Sequence, residues 1–223
     1  MSRLSWKSAR GVWVAAWRKP SGRERVPYAE LVEEALCFGW IDSTVNILDD
    51  AADVRQALIQ NGWADDHIKV LTDGAATAGA IRAGLQWLVD HSSPNGMSVF
   101  HYSGHVKQVG STEYLWPHDN AFIPDTELAG KIRQLKGQAW VDISGCEAAG
   151  FDEGISAPNR LFTASSRANE KSYEIPDMRQ SVFTLLLVEQ GLVNGAADAN
   201  GDRKVSVQEA FDYAAARAPQ FTA

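Results

Sequence analysis

Cysteine is scarce in this 223-residue chain: Cys37 and Cys146 are the only two, and neither sits in a C-x-x-C pair. A disulfide framework is excluded, a reducing compartment (the cytoplasm) is expected, and a thiol is left for chemistry. Long apolar runs are lacking too. Phe183–Val188 is far too short to span a bilayer, so no membrane role is expected. The N-terminus has no apolar stretch or small-residue cleavage site of the secretory kind. No H-E-x-x-H, Walker or G-x-G-x-x-G pattern occurs, which removes metalloprotease, nucleotide-hydrolase and dinucleotide readings. Basic charge is in deficit: 21 Lys and Arg face 28 Asp and Glu, a net charge of −7. That argues against the basic stripe of a nucleic-acid binder.

What remains is an ordinary globular composition, 45% apolar and 22% charged. The charge is unevenly spread. Residues 1–46 hold seven Lys and Arg against five Asp and Glu, whereas 47–223 hold fourteen against twenty-three, a net of −9. Four of the eight tryptophans fall in the first 40 residues. This shift divides the chain into an N-terminal segment, 1–44, and a main domain, 45–223.

Periodicity predicts a strand over Gly11–Trp17 and helices over Tyr28–Phe38, Asp49–Asn61 and Thr77–Val89, the last with Thr77 as N-cap. Strands are expected at Ile68–Leu71, Met97–Tyr102, Ala139–Ser144 and Leu161–Ser165. Further helices are expected at Glu127–Leu135, Ser181–Gln190 and Val207–Arg217. Helices alternating with strands that are apolar on both faces mean an α/β sheet covered on two sides.

Two of these strands end in reactive groups. Val99-Phe-His-Tyr-Ser-Gly-His105 ends in an imidazole and Val141-Asp-Ile-Ser-Gly-Cys146 in a thiol, each directly after Ser-Gly. Functional groups of open α/β sheets gather beyond the carboxyl ends of strands. A thiolate nucleophile with an imidazole to handle protons is what acyl transfer needs. Cys37, within the helical Ala35-Leu-Cys-Phe run, reads as a core residue. His67 and His91 read as solvated, and His101, mid-strand, as structural.

Phe100-His-Tyr-Ser-Gly-His105 and Asp142-Ile-Ser-Gly-Cys-Glu-Ala-Ala-Gly-Phe151 resemble the histidine and nucleophile loops of bacterial caspase-like and metacaspase-like cysteine peptidases. The resemblance extends from about Val45 to about Ala218. It implies a caspase-hemoglobinase-like three-layer α/β/α sandwich with a mostly parallel sheet. It further implies a Cys146–His105 dyad, an oxyanion hole from the N–H groups of Val106 and Cys146, and a peptide or protein substrate. Substrate-pocket residues would be Ser144, Ser165, Ser166 and the stretch Arg167–Asp177, with a lean towards a basic P1 residue from the acidic charge of the domain. Two positions depart from the pattern: Val106 stands where the family has glycine, and Ser144 where it often has an acid. The first departure leaves an alternative reading, a catalytically inactive pseudopeptidase acting as a binding or scaffold module. Leu115-Trp-Pro-His-Asp119 resembles the family's L-x-P-x-D stretch, which supports the active-site loop.

Residues 11–43, ending in Glu34-Ala-Leu-Cys-Phe-Gly-Trp-Ile-Asp-Ser43, resemble the start of the YdeI/OmpD-associated family. The caspase-like part lacks its usual first strand, which would immediately precede Asp49, and Gly11–Trp17 is the segment able to substitute. No cofactor is needed by this chemistry. A weak calcium-loop candidate is present: Asp198, Asn200, Asp202 and Glu209 follow EF-hand spacing, but Arg203 replaces the turn glycine. Ser206-Val-Gln-Glu209 reads rather as a capping box that starts the last helix, and the Asp/Asn/Gly cluster before it as a plain turn.

Overall fold

In the computed structural model, which describes residues 50–175 and 180–222, the described strand with the longest buried run lies at the centre of the sheet. The described residues begin with α1 (Asp50–Gln60) and α2 (Ala78–His91), then β1 (Met97–Ser103). A hairpin, β2 (Val106–Val109) and β3 (Thr112–Leu115), follows, with β4 (Ile123–Pro124) beside it. Next come α3 (Asp125–Ile132), β5 (Gln138–Ser144), α4 (Asp152–Ile155) and β6 (Arg160–Ala164). The chain continues through β7 (Glu174–Ile175), β8 (Gln180–Ser181), α5 (Val182–Thr184), α6 (Val207–Arg217) and α7 (Pro219–Thr222). The chain divides into two compact units, Met1–Asn46 and Ile47–Ala223. The expected strand at Gly11–Trp17, the helix at Tyr28–Phe38, Cys37 and Asp177 lie outside the described residues.

The sheet is parallel, in the order β1-β5-β6. Every residue of β5 after Gln138 is buried, as a central parallel strand requires. Its side chains alternate between two cores. Val141 and Ile143 join Ile81, Leu85, Leu128, Ile132 and Phe151 on one face. Trp140 joins Val54, Phe183, Leu186, Leu187 and Ala210 on the other. The architecture is thus helices, sheet, helices, consistent with the caspase-like expectation. Truncating a fully buried Ile143 or Leu187 to alanine costs about 2–5 kcal/mol on general grounds.

Side-chain chemistry sets some of the element ends. The Thr77 hydroxyl accepts the Ala80 N–H at 3.2 Å, capping α2 as expected. The fork of Arg82 grips Glu127 through two contacts of 2.6 and 2.9 Å and ties α2 to α3. After α5, the chain widens into a π-helix over Leu185–Val193 rather than continuing as a regular α-helix. Gly191 lies against α6, where an added Cβ would come within 3.3 Å of the Ala210 side chain.

One expectation fails, and one element was not expected. Ile68–Leu71 is not a strand: it runs between two single 3₁₀ turns and pairs with nothing among the described residues. Val70 is 41% exposed, so four residues with one outward valine form no ladder. The hairpin over 106–115 had no expected counterpart. It turns through Gly110-Ser111, with Gly110 at φ +65°, in the way two-residue hairpin loops demand. Its first strand shows three exposed residues out of four, so hydrophobic alternation gave no signal.

Candidate active site

Strand register brings the two reactive segments to one edge. Ser103 of β1 is paired with Ser144 of β5, and the Gly104 N–H donates to the Ser144 carbonyl at 3.0 Å. A Cβ on Gly145 would lie 2.5 Å from the Gly104 carbonyl oxygen, so this close approach requires glycine. His105 and Cys146, each two residues past the paired serines, therefore leave adjacent strands at the same carboxyl edge. His105 is exposed and Cys146 is a half-buried free thiol.

The turn after β5 is held by backbone accounting. Glu147 sits in the left-handed region at φ 56°, and its N–H donates to the Glu170 carbonyl at 2.7 Å. The Ser165 hydroxyl accepts the Gly145 N–H at 2.9 Å and donates to the Gly145 carbonyl at 3.0 Å. The Ser166 hydroxyl donates to the same carbonyl at 2.9 Å and accepts the Ala148 N–H at 3.1 Å. Among the described residues, the Cys146 N–H alone of those from Gly145 to Gly150 makes no hydrogen bond. An N–H left free beside a thiol suits an oxyanion. The Val106 N–H is placed similarly. Because the Trp116 N–H donates to the His105 carbonyl at 3.0 Å, Val106 and Leu115 form a non-hydrogen-bonded pair, and the Val106 N–H points away from β3. The Val106 side chain packs towards Gly145 and the apolar core.

The serines expected in the substrate pocket are thus engaged in holding this turn. Ser144 is buried, its hydroxyl donating to Ser181 Oγ at 3.1 Å. Ser181 in turn accepts the Thr184 N–H and caps α5.

The histidine loop has its own supports. The Tyr102 hydroxyl lies 2.8 Å from the His105 carbonyl and accepts the Trp116 N–H at 3.2 Å. Burial pushes this phenol well above its ordinary pKa. Asp119 accepts the Ala78 N–H at 3.1 Å, which fastens the Trp116–Asn120 loop to the start of α2 and lowers the carboxyl pKa. His118 is exposed, and its N–H donates to the Ala76 carbonyl.

Sequence reasoning passed over two carboxylates beneath this edge. Asp142 accepts from His101 Nδ1 at 2.6 Å and from the Thr163 hydroxyl, which itself accepts the Trp140 indole N–H at 2.8 Å. A charge within an apolar strand was the available signal, since a buried carboxylate needs a partner. Asp50, 1% exposed, accepts the Ser103 hydroxyl at 2.6 Å and the Ser181 N–H at 3.1 Å. At the head of a helix it resembles any first-turn acid, and only the fold distinguishes it. His67 and His91 are exposed as expected.

The aspartate-rich loop spends its oxygens on its own backbone. Asp198 accepts from Gly201 and Arg203, Asn200 from Asp202, and Asp202 from Lys204. Ser206 and Glu209 form a reciprocal capping box. Arg203 holds φ 66° at the position where an EF-hand loop carries glycine. Among the described residues, no group of three or more His, Cys, Asp or Glu is arranged to hold a metal. An apolar cavity of about 170 Å³, lined by Val54, Met97, Trp140 and Leu192 among others, opens at the opposite end of the sheet. No described helix is long and apolar enough to cross a membrane.

Residues 41–142 match the family model described as metacaspase, peptidase C14 domain, a span that contains His105 and ends just before Cys146. Residues 4–72 match a domain of unknown function, DUF8412, in place of the YdeI/OmpD-associated family expected for the first segment. Metacaspase-1 of Candida albicans is 34% identical over 104 residues, covering 36% of this chain and 23% of that protein. Metacaspase-1 of Cryptococcus neoformans is 31% identical over 124 residues, covering 44% and 27%. Metacaspase-1 of Mycosarcoma maydis is 34% identical over 104 residues, covering 43% and 26%. These relatives are fungal rather than bacterial, and the chain spans about a quarter of their length.

Proposed function

We propose that residues 45–223 act as a caspase-like cysteine endopeptidase with Cys146 as nucleophile and His105 as its acid–base partner. The observation that carries this reading is the paired strand ends, with a free thiol on one, an imidazole on the other, and an uncommitted N–H at Cys146. The similarity to metacaspases over residues 41–142 supports it. In this reaction the Cys146 thiolate attacks the scissile carbonyl and forms a C–S bond. The N–H groups of Val106 and Cys146 hold the resulting oxyanion. The C–N bond breaks as the His105 imidazolium protonates the leaving amine, and a thioester remains. His105 then takes a proton from water, which attacks the thioester, releases the acid and restores the thiol.

For the P1 residue, Asp50 beneath Ser103 and Ser144 supports a preference for Arg or Lys, in line with the acidic charge of the domain. The unpaired thiol agrees with a cytoplasmic setting. The pseudopeptidase alternative rests on Val106. Packing of that side chain towards Gly145 and the core directs its bulk away from the N–H and favours the active reading.

A peptidyl acyloxymethyl ketone with Arg at P1 tests the proposal. It is expected to alkylate wild-type Cys146 and leave Cys146→Ala and His105→Ala unmodified. A peptide-library digest is expected to show cleavage by wild type and none by Cys146→Ala. An unreactive Cys146 in the folded protein would transfer the case to the pseudopeptidase.

A further inference from the structure

The hairpin after β1 has two unlike faces. Val106, Glu113 and Leu115 turn towards the core, whereas His105, Lys107, Tyr114 and Trp116 alternate onto the opposite face. That second face is aromatic and only half-buried at Tyr114, Trp116 and Phe122. The His105 and Trp116 rings lie 6.0 Å apart at 56°. Phe122 meets Trp116 edge-on at 5.2 Å and Tyr114 at 6.0 Å. The Lys107 ammonium lies 5.1 Å from the Phe122 ring centre and 5.7 Å from that of Trp116. Asn120 accepts the Trp116 indole N–H and fixes the ring. The result is a rigid aromatic platform continuous with the candidate catalytic imidazole.

We propose that Trp116, with Phe122 beside it, is the subsite for the residue that follows the scissile bond, and that it selects an aromatic or large aliphatic side chain there. The inference rests on the peptidase reading above. The imidazole that protonates the leaving amine must reach its nitrogen, so the residue carrying that nitrogen passes over His105. Its side chain then lies within reach of the ring packed against His105. Offset or edge-on contact with Trp116 and Phe122 rewards a flat or branched apolar group. Lys107 is held over the same two rings, so the platform carries a positive charge that disfavours a basic side chain there and leaves the substrate the ring edges and the faces turned away from the ammonium.

Internally quenched peptides, identical up to a P1 Arg and carrying Phe, Leu, Ala or Asp at the next position, provide the test. For wild type, kcat/KM with Phe or Leu is expected to exceed that with Ala by about fivefold or more. Trp116→Ala is expected to bring the Phe-to-Ala ratio to about one, while Trp116→Phe keeps most of it. A ratio taken within one variant cancels any general loss of folded or active enzyme. Phe122→Ala, which removes the ring that supports Trp116, is expected to lower the ratio in the same direction. A wild-type ratio near one, faster cleavage before Asp than before Phe, or a ratio unchanged by Trp116→Ala overturns the subsite. Acyloxymethyl ketone labelling, which needs nothing beyond the reacting carbonyl, separates the two readings. A labelled wild type without the preference rejects only the subsite, whereas an unlabelled one rejects the peptidase and the subsite with it.

Discussion

His101 shows how much one side chain can tell. Its side chain and that of its partner Asp142 are 8% and 1% exposed, and its Nε2 is buried with no hydrogen-bond partner among the described residues. Burial pulls the imidazolium pKa down, yet the hydrogen bond and charge of Asp142, joined by the charge of Asp50, more than offset it and raise the pKa above 6.5. A raised histidine stabilises the fold fully below its unfolded pKa, and that contribution is lost as pH rises through the higher folded value. Denaturant unfolding between about pH 5 and pH 9 is expected to show this decline above the unfolded pKa in wild type and lose it in Asp142→Asn. Asp142→Ala, which removes one partner of a buried hydrogen-bonded pair, is expected to lower stability by about 1–3 kcal/mol. A pH slope unchanged by Asp142→Asn would refute the assignment. Ser165 and Ser166 offer a second measurement. If they hold the nucleophile turn, alanine at either position removes hydrogen bonds worth about 0.5–1.5 kcal/mol each and lowers kcat for all substrates alike. A changed ranking of P1 residues would instead make them pocket walls.

Elements were legible in proportion to how much of their information is local. Val207–Arg217 matches its expected bounds residue for residue, because Ser206 and Glu209 announce the start and the apolar period does the rest. Ser206→Ala is accordingly expected to lower stability by about 1 kcal/mol in thermal unfolding. If the preceding loop is only a turn, Asp198→Asn leaves any response of the melting temperature to added calcium unchanged; a lost response would restore the calcium reading. The strands that lead to His105 and Cys146 were equally plain as apolar runs, although only β5 is central and buried throughout, β1 being mostly half-buried. Less was legible where the cause is distant. Phe183–Val193 carries a helical pattern, but nothing local announces its passage into a π-helix packed beside α6. The hairpin over 106–115 is held by cross-strand register and by Tyr102 and Trp116, not by alternation. The candidate site divides in the same way. Its reactive groups were readable from two Ser-Gly strand ends, whereas Asp50, 53 residues before Ser103, reaches the site only through the fold.

At the scale of the whole molecule, charge and sheet act on the same edge. The parallel sheet delivers both reactive residues to its carboxyl end, and Asp50 arrives there from the head of α1. The chain carries a net charge of −7, with −9 over residues 47–223. Such a field raises the local concentration of cationic peptides and speeds their encounter, an effect that salt screens within about 8–10 Å at physiological ionic strength. Two charge effects on a basic P1 residue can therefore be separated. The long-range one is expected to make kcat/KM for an Arg-P1 peptide fall several-fold between about 0.05 and 0.5 M salt, while an Ala-P1 peptide changes little. The short-range one is expected to survive salt: Asp50→Asn is predicted to reduce the Arg-to-Ala ratio at high ionic strength as well as at low, because a carboxylate only 1% exposed is poorly screened. Folding of that variant is checked by its unfolding transition, since Asp50 also holds Ser103 and the Ser181 N–H. A ratio that disappears with salt in wild type and is unmoved by Asp50→Asn would assign the preference to the surface field alone, and faster cleavage after Asp than after Arg at any salt would remove the basic P1 reading.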